Sequence, residues 1–342
     1  MTTTEPPLIS VLMSVYNGER YVAEAIQSIL GQTEPRFEFL IVNDGSSDAS
    51  ALILDRYAAQ DSRIRVIHQA NRGLIASLNL LLDEARAPLV ARMDCDDVSR
   101  PERFARQLAH MVAHPDVAVL GSNTDELDAD GALFPCEDFH PLDHASICAR
   151  LLQRSAICHP SVVMRRDIIR ALGGYRAAFR HCEDFDLWLR VAEQHTMANL
   201  PDRLLLYRRS PGQVSEQHIV VQAIGAACAR HAARERQAGR PDPFVGMASL
   251  PPLDQMDAVV GTSGLGARLR MEVIDSVKYS RHALEAGGLA MMKLHLREGG
   301  PKADFWRTAG RMVKLGMIPQ AFSLSIDLLR AQTGWRHRLP AR

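Results

Sequence analysis

The stretch Pro88-Leu89-Val90-Ala91-Arg92-Met93-Asp94-Cys95-Asp96-Asp97 passes directly from an apolar run into an acidic cluster, Asp94, Asp96 and Asp97. Its apolar part predicts a buried strand. Carboxylates this close repel one another, whereas Mg²⁺ or Mn²⁺ prefers carboxylate oxygens and removes the repulsion. An ordinary solvated turn is the alternative, because Asp is common in loops. Pro101 suits the first position of a following helix, so we expect the acidic cluster on a short loop at the carboxyl end of a strand, where open α/β sheets bind ligands.

Strand and helix patterns alternate through the first 125 residues. Apolar runs predict buried strands at 8–15, 37–42, 64–68, 89–93 and 117–121. Helical spacing predicts helices at 21–29, 74–85 and 104–112. A further helix is expected to end at about residue 60, with its N-cap supplied by residues 46–48. This alternation predicts the α/β class, with a mostly parallel sheet wound with helices. Such a sheet would bring two polar strand ends, Asn43-Asp44 and the acidic cluster, to one edge.

The pattern changes beyond about residue 126. Residues 159–166 predict a strand that leaves a turn, and Glu183-Asp184 opens an amphipathic helix whose Trp188 is expected in the core. Residues beyond about 216 are mainly helical in pattern. No internal repeat is evident.

Composition narrows the function classes. The 342 residues carry 40 Lys and Arg against 40 Asp and Glu, so no global positive field favours nucleic acid. The six Cys include no CxxC pair, which argues against a zinc or redox motif and fits a reducing compartment. Residues 1–7 lack the features of a signal peptide, and no apolar run has the length of a membrane span. The expected location is cytoplasmic.

Several short motifs follow one another over roughly residues 8–210. They are Ser14-Val15-Tyr16-Asn17-Gly18, residues 42–48, Asn71-Arg72-Gly73-Leu74, Ser77-Leu78-Asn79, Met93 to Asp97 with Pro101 and Arg103, His159-Pro160-Ser161, and Glu183 to Trp188. In this order they resemble family 2 glycosyltransferases, enzymes of the GT-A fold. Cys95 stands where the family usually has another small residue, and a thiol beside a metal would add sensitivity to oxidation or to soft metals.

The resemblance implies a domain organisation and a reaction. Residues 1–125 would be the nucleotide-sugar-binding half of a GT-A domain, residues 126–215 the acceptor-binding half, and residues 216–342 a helical C-terminal extension. The reaction would move a sugar from a nucleotide-diphosphate donor to a hydroxyl of a carbohydrate or lipid-linked acceptor, with inversion. Cell-surface polysaccharide or another glycoconjugate would be the product.

The resemblance also implies residue roles. Asp184 would be the general base, placed in a first helical turn where the helix dipole favours its ionised form. Asp94 and Asp96 would hold a divalent metal, Mn²⁺ or Mg²⁺, and help to bind the donor. Tyr16, Asp44 and Asn71 would bind the nucleotide, Asp44 by accepting from a base N–H and Tyr16 by stacking.

Two further residues, His159 and Glu183, are expected at the acceptor or diphosphate site. For each of these residues a purely structural explanation is the alternative to the functional role. Acidic residues are common in first helical turns, and a histidine before proline is often structural. Arg103 is expected to pair with nearby carboxylates rather than with donor phosphate.

Other classes of function remain to be weighed. A nucleotidyltransferase acting on sugar phosphates would also use carboxylate-bound metal, but it usually has a Gly-rich basic loop where this chain has residues 16–20. A Rossmann dehydrogenase needs a Gly-x-Gly-x-x-Gly motif at that point, and the motif is absent. A non-catalytic carbohydrate-binding protein would have no reason to combine metal, nucleotide and base motifs.

The C-terminal end differs from the rest in charge. Residues 300–342 contain eight basic and two acidic residues, a surplus of six. Phe322, Ile326 and Leu329 share one predicted helix face, and Trp335 lies among basic residues. This end either packs on the catalytic domain or makes peripheral contact with the inner, anionic face of a membrane.

Overall fold

The computed structural model describes residues 5–134, 136, 138–209, 217–302 and 304–333, with the backbone alone at residue 333. The predicted tail residue Trp335 lies outside this part of the chain. The described residues fall into two compact units, one formed by residues up to 177 together with 183–209, and one formed by 178–182 together with 217–333. The predicted division at residues 125 and 215 stays a prediction.

The first unit contains nine strands and seven α-helices. Its strands are β1 (Ile9–Val15), β2 (Phe37–Asp44), β3 (Ile64–Gln69), β4 (Leu89–Asp94), β5 (Val98–Ser99), β6 (Val117–Leu127), β7 (Leu133–Phe134), β8 (Val163–Arg165) and β9 (Thr196–Arg208). Its helices are α1 (Val22–Leu30), α2 (Ser50–Gln60), α3 (Leu74–Glu84), α4 (Arg103–Ala113), α5 (His144–Leu151), α6 (Arg166–Ala171) and α7 (Glu183–Ala192).

The strands form one sheet in the order β3-β2-β1-β4-β8-β6-β9-β5, with β7 paired to β6. Strands β3, β2, β1 and β4 are mutually parallel, and helices connect them. Strand β8 pairs antiparallel with both β4 and β6, whereas β6 and β9 are parallel. The predicted α/β class is confirmed, and antiparallel pairing is confined to the half of the sheet beyond β4.

The apolar strand runs exist because helices cover both faces of the parallel half. Every residue of β1 except Ser14 is buried, and so is every residue of β2 except Glu38. Helix α4 adds Phe104, whose ring packs edge-on against Phe37 at 5.7 Å between ring centroids. The core of the first unit therefore lies along this half of the sheet, and it holds the strand ends in fixed register.

That register brings the two polar strand ends together, as predicted. Ser14 of β1 lies opposite Asp94 of β4 on one side, and Val15 lies opposite Asn43 of β2 on the other. The strands are parallel, so the carboxyl ends of β2 and β4 lie at the same edge of the sheet. The site described below is built on this edge.

Three local predictions were wrong. Residues His159–Ser161 form a 3₁₀ turn before β8 rather than part of a strand, because Pro160 has no N–H for a ladder. Helix α4 begins at Arg103, two residues after Pro101, with Glu102 as its N-cap. Helix α2 begins at Ser50 and takes no side-chain cap, because the Asp48 carboxylate instead accepts from the Ser50 and Glu19 N–H groups, each at 3.0 Å.

The second unit is helical, as predicted for the C-terminal region. Its helices are α8 (Ile219–Gln237), α9 (Met256–Val260), α10 (Leu265–Val277), α11 (Arg281–Ala283), α12 (Leu289–Arg297), α13 (Phe305–Lys314) and α14 (Ile318–Thr333), with a π-helical turn at Leu284–Gly288. Among the described residues, no helix has both the length and the apolar content to cross a membrane.

Candidate active site

The acidic cluster follows β4 at the carboxyl edge of the sheet. One carboxylate oxygen from each of Asp94, Asp96 and Asp97 lies within 4.8 Å of the other two. Asp97 is buried, whereas Asp94 and Asp96 are partly exposed. Burial raises the pKa of Asp96 to about 6, helped by the charge of Asp94 and opposed by that of Arg92. The cluster therefore has one buried carboxylate, Asp97, and two that a ligand could reach, Asp94 and Asp96.

Asp97 anchors the acidic loop to β9. The Arg208 N–H donates to its Oδ1 at 2.9 Å, and the Arg208 guanidinium donates to the Asp96 carbonyl at 2.7 Å. The other oxygen of Asp97, Oδ2, is buried and has no hydrogen-bond partner within the described part of the chain. Burial and the two neighbouring carboxylates raise the pKa of Asp97 well above its usual range. An unpartnered oxygen in a close set of carboxylates fits a hard divalent cation, so the residues present suit Mg²⁺ or Mn²⁺.

Arg92 is the positive charge that the protein itself supplies to this site. Its side chain is buried and forms an ion pair with Asp94, which lies two residues further along β4 on the same face of the strand. Its Nε and Nη1 groups are buried without a hydrogen-bond partner among the described residues. Burial raises the pKa values of Asp96, Asp97, Glu183 and Asp184, and the Arg92 charge opposes that rise in all four.

The Asp44 carboxylate, at the end of β2, accepts three hydrogen bonds. Its two oxygens accept from the backbone N–H groups of Arg72 and Gly73, each at 2.8 Å, and Oδ1 also accepts from Gln69 Nε2 at 2.7 Å. Asp44 therefore fixes the loop that carries Asn71. Gly45 permits the close approach, since a Cβ there would lie 2.6 Å from the Asn71 backbone nitrogen and the φ angle of Gly45 is +74°.

The two predicted nucleotide contacts beside Asp44 are open to solvent. Tyr16 directly follows β1, and 55% of its surface is exposed. Asn71 is exposed on the loop that Asp44 holds. The structure thus brings Tyr16, Asp44 and Asn71 to the edge of the sheet that also carries the acidic cluster.

Glu183 and Asp184 stand in the first turn of α7, and this helix packs through Trp188 against His159. The charges of Arg92 and Asp94 act on both carboxyl groups. Burial raises the pKa of Glu183 to about 7, and the charge of Asp184 adds to the rise. Burial also raises the pKa of Asp184, whose Oδ1 accepts from the Phe185 N–H at 2.7 Å. The expected effect of the helix dipole on Asp184 is thus outweighed by burial. Glu183 is buried and Asp184 is partly exposed.

The third acidic residue of α7, Asp186, is structural. Its Oδ2 accepts from Arg176 Nε at 2.9 Å and from Arg190 Nε at 3.0 Å. Arg190 also donates to the Gly174 carbonyl at 2.8 Å. These bonds fix the start of α7 against the preceding loop, and they leave Asp186 buried among cations.

His159 contacts the same loop. Its Nε2 lies 2.8 Å from the Tyr175 hydroxyl, and its ring packs edge-on against Trp188, which is buried as predicted. Burial, with a smaller contribution from Arg92, lowers the pKa of His159 well below its usual range, so the imidazole is neutral. Asn79 explains one of the sequence motifs, since its side chain donates to the Tyr175 carbonyl at 2.8 Å and accepts from the Tyr175 N–H at 2.9 Å.

Arg103 forms no ion pair with a carboxylate of the residues that the structure describes, so that prediction was wrong. Its guanidinium is buried and donates to the carbonyls of Arg92 and Val162, at 2.9 and 3.2 Å, and to Gln107 Oε1 at 3.1 Å. Helix α4 places it against the backbone of β4, where carbonyl groups need donors. Arg103 supports the strand that carries the acidic cluster and does not line the ligand space.

The sequence did not predict a role in the site for three residues that have clear contacts there. They are Arg92, Tyr175 and Arg208. A signal existed for Arg92, because a charged residue inside an otherwise apolar strand is rarely buried without a partner. Tyr175 and Arg208 meet the site only through tertiary contacts.

Comparisons with known proteins identify the family of this chain. The model of glycosyl transferase family 2 matches residues 10–173. The chain is 37% identical over 196 residues to the putative glycosyltransferase EpsE of Bacillus subtilis (strain 168). The aligned region makes up 55% of this chain and 68% of EpsE. It is 32% identical over 216 residues to the amylovoran biosynthesis glycosyltransferase AmsE of Erwinia amylovora. That alignment spans 61% of this chain and 79% of AmsE.

Among solved structures, the mannosyltransferase PcManGT from Pyrobaculum calidifontis, in complex with GDP-Man and Mn²⁺, has a similar fold. The TM-score is 0.52 at 16% identity, covering 97% of this chain and 88% of PcManGT. At this identity the likeness concerns the fold alone, and it agrees with the predicted GT-A type. The family match and the two related sequences establish more: the chain belongs to glycosyl transferase family 2 and is a glycosyltransferase.

Proposed function

We propose that this enzyme transfers a sugar from a nucleotide-diphosphate donor to an acceptor hydroxyl, with inversion, during synthesis of a cell-surface polysaccharide or glycoconjugate. One observation carries the proposal: oxygens of Asp94, Asp96 and Asp97 lie within 4.8 Å of one another at the carboxyl end of β4. The first-turn carboxyl groups of α7 feel the same Arg92 charge as this cluster. The name of AmsE, an amylovoran biosynthesis glycosyltransferase, supports the polysaccharide class of product.

Asp94 and Asp96 are the residues that would hold a divalent metal, Mn²⁺ or Mg²⁺. Both are partly exposed above the buried Asp97, so their oxygens are accessible. The metal would supply the positive charge that the diphosphate leaving group requires. Support comes from the oxygen-only set of ligands and from the Mn²⁺ in the PcManGT complex.

The nucleotide would lie at the ends of β1 and β2. Tyr16 is exposed there and offers an aromatic face for stacking. Asp44 would shape this subsite by fixing the loop of Asn71, because its bonds to the loop backbone already occupy much of its accepting capacity. The GDP-Man in the PcManGT complex supports a nucleotide sugar as the class of donor.

Asp184 is the better of the two candidates for the general base. It is partly exposed, whereas Glu183 is buried, so Asp184 has the easier access to an acceptor hydroxyl. Burial raises the pKa of Glu183 to about 7, so below that pH Glu183 is mostly protonated and suits a hydrogen-bond donor better than a base. Glu183 and the neutral His159 would then line the acceptor or diphosphate site as hydrogen-bonding groups.

The test is to incubate the purified enzyme with a panel of nucleotide sugars and Mn²⁺ and to identify the released product. Thermal shift first selects the donor, since a ligand that binds only the folded state raises the melting temperature. A glycosyltransferase releases nucleoside diphosphate, whereas a nucleotidyltransferase acting on sugar phosphates consumes nucleoside triphosphate and releases pyrophosphate. A non-catalytic carbohydrate-binding protein releases neither.

We also propose a peripheral contact with an anionic membrane through the C-terminal region. The acceptor would then be lipid-linked and presented at the membrane surface. The basic surplus of residues 300–342 supports this part of the proposal. The described portion of that region also carries an unusual surface.

A further inference from the structure

Helices α13 and α14 of the second unit carry apolar side chains on their outer sides. Their inner sides share one core cluster, to which they contribute Phe305, Ala309, Met312, Ala321, Leu324 and Leu328. Away from that cluster lie five large apolar side chains, called here the outer apolar residues: Trp306, Val313, Ile318, Phe322 and Leu329. Their exposed fractions run from 41% for Trp306 to 69% for Phe322.

The spacing of the outer apolar residues makes a stripe on each helix. Trp306 and Val313 are two helical turns apart on α13, and Ile318, Phe322 and Leu329 recur at helical spacing on α14. Gly316, with φ +75°, ends α13 just before α14 begins, and the two helices pack against each other. The stripes therefore belong to one helical hairpin.

Three cations accompany the stripes. Arg307, Arg311 and Lys314 are exposed on the same outer half of α13 as Trp306 and Val313. They form no ion pair with any other residue in the described part of the chain. These three are called here the hairpin cations.

The acidic residues of the hairpin segment are already engaged. Asp304 lies 3.9 Å from Lys278, and Asp327 lies 3.7 Å from Lys293. Among the described residues, the hairpin therefore combines exposed apolar side chains with three exposed cations that form no ion pair.

We propose that the outer apolar residues and the hairpin cations dock this enzyme on an anionic lipid surface. Trp and large aliphatic side chains lie favourably at the headgroup boundary, and Lys and Arg are attracted by anionic lipids. A second copy of the chain fits less well, because a symmetric interface would bring the hairpin cations of two copies together. The inference deepens the proposed membrane contact by assigning it to a surface.

The test measures partition of the full chain onto vesicles of phosphatidylcholine alone and of phosphatidylcholine with phosphatidylglycerol. The unmodified protein is expected to sediment with the anionic vesicles at low ionic strength and to be released as salt increases. It is expected to stay in solution with the neutral vesicles. Release of nucleoside diphosphate from the donor is measured in parallel, without vesicles.

Two sets of substitutions separate the contributions. The pair Trp306→Ser and Phe322→Ser is expected to weaken partition about tenfold or more, because it removes apolar area from the lipid contact. The set Arg307→Gln, Arg311→Gln and Lys314→Gln is expected to weaken it about tenfold or more at low salt and to flatten its salt dependence. Matched controls replace exposed residues of the first unit, Leu52→Ser with Val112→Ser, and Arg56→Gln.

The remaining outcomes contradict the proposal. Absence of binding to anionic vesicles at low salt overturns it, and so does unchanged binding in both sets of variants. If Trp335→Ser abolished vesicle binding and the two sets of hairpin variants did not, the contact would belong to the C-terminal end around Trp335 instead. A dimer detected by light scattering and lost in the Trp306→Ser and Phe322→Ser variant would assign the surface to a second copy. Donor turnover should be unchanged in all these variants, so failure of the membrane inference is distinguishable from failure of the proposed reaction.

Discussion

Arg92 and Asp94 form an ion pair on one face of β4, and this pair sets the charge of the candidate active site. Arg92 is the buried partner, and Asp94 is partly open to solvent. In the absence of a metal, Arg92 compensates part of the negative charge of the cluster, because it pairs with Asp94 and opposes the rise in the pKa values of Asp96 and Asp97. The charge of Arg208 adds to this effect at Asp96. The ion pair is made by Asp94 Oδ1, so Arg92 and a metal would share this carboxylate.

Replacing Arg92 by Met is therefore expected to destabilise the metal-free enzyme. The free energy of unfolding should fall by about 3 kcal/mol, the lower end of the cost for a buried ion pair that loses one partner, because the remaining Asp94 is partly exposed. Mn²⁺ should then raise the melting temperature of Arg92→Met by more than it raises that of the unmodified enzyme. Chemical and thermal denaturation with and without Mn²⁺ measure both effects. Arg56→Met, at an exposed position of α2, is the control, and equal stability of Arg92→Met and the parent without metal would refute the compensating role.

The stability of the metal-free enzyme is expected to decrease as pH rises. Glu183 has a folded-state pKa of about 7, above its usual 4.5, so the folded protein binds more protons than the unfolded chain between these values. The free energy of unfolding should accordingly fall from about pH 4.5 to about pH 7, with Asp96 contributing in the same direction. Denaturant titrations across this range measure the slope. Glu183→Gln should flatten it and exposed Glu102→Gln should not, whereas a slope unaffected by Glu183→Gln would mean that this carboxyl is not the buried acid described here.

Asp184→Asn and Asp44→Ala are expected to separate chemistry from donor binding. Asp184→Asn should lower turnover by about two orders of magnitude or more, the usual scale for loss of a general base, and leave donor affinity nearly intact. Asp44→Ala should weaken donor affinity first, because the Arg72 and Gly73 N–H groups lose their acceptor and the loop of Asn71 is released. Steady-state kinetics together with calorimetric donor titration provide the two readouts. If Asp184→Asn lost donor affinity but kept its turnover at saturation, Glu183 would become the candidate base.

The parallel half of the sheet could be predicted from the sequence because its strands are buried on both faces. Two-sided burial produces continuous apolar runs, and these run directly into the polar residues at the strand ends. The convergence of Asn43-Asp44 with the acidic cluster follows from parallel pairing alone, and the register confirms it. The bounds of α2 and α4 were less predictable, since local side-chain bonds such as those of Asp48 decide where each helix begins.

The contacts that complete the site could not be predicted in the same way. Arg208 and Asp97 lie 111 residues apart along the chain, and Asn79 and Tyr175 lie 96 apart. Neither pair leaves a periodic trace in the sequence, because each depends on how β9 or the loop before α7 is placed. The role of Arg103 was misjudged for the same reason: its partners are backbone carbonyls, and a sequence does not indicate which carbonyls lack donors.

The measurement that tests the central claim most directly is donor turnover and donor binding by Asp96→Ala in Mn²⁺ and in EDTA. Asp96 is the partly exposed carboxylate of the acidic cluster that the buried Arg92 does not pair with, so its loss should remove a metal ligand without leaving Arg92 unpaired. We expect Asp96→Ala to abolish release of nucleoside diphosphate and to weaken donor binding in Mn²⁺ to the level of the unmodified enzyme in EDTA. The exposed Asp116→Ala should behave as the unmodified enzyme does. Full activity of the unmodified enzyme in excess EDTA, or of Asp96→Ala in Mn²⁺, would contradict the metal-assisted transferase proposed here.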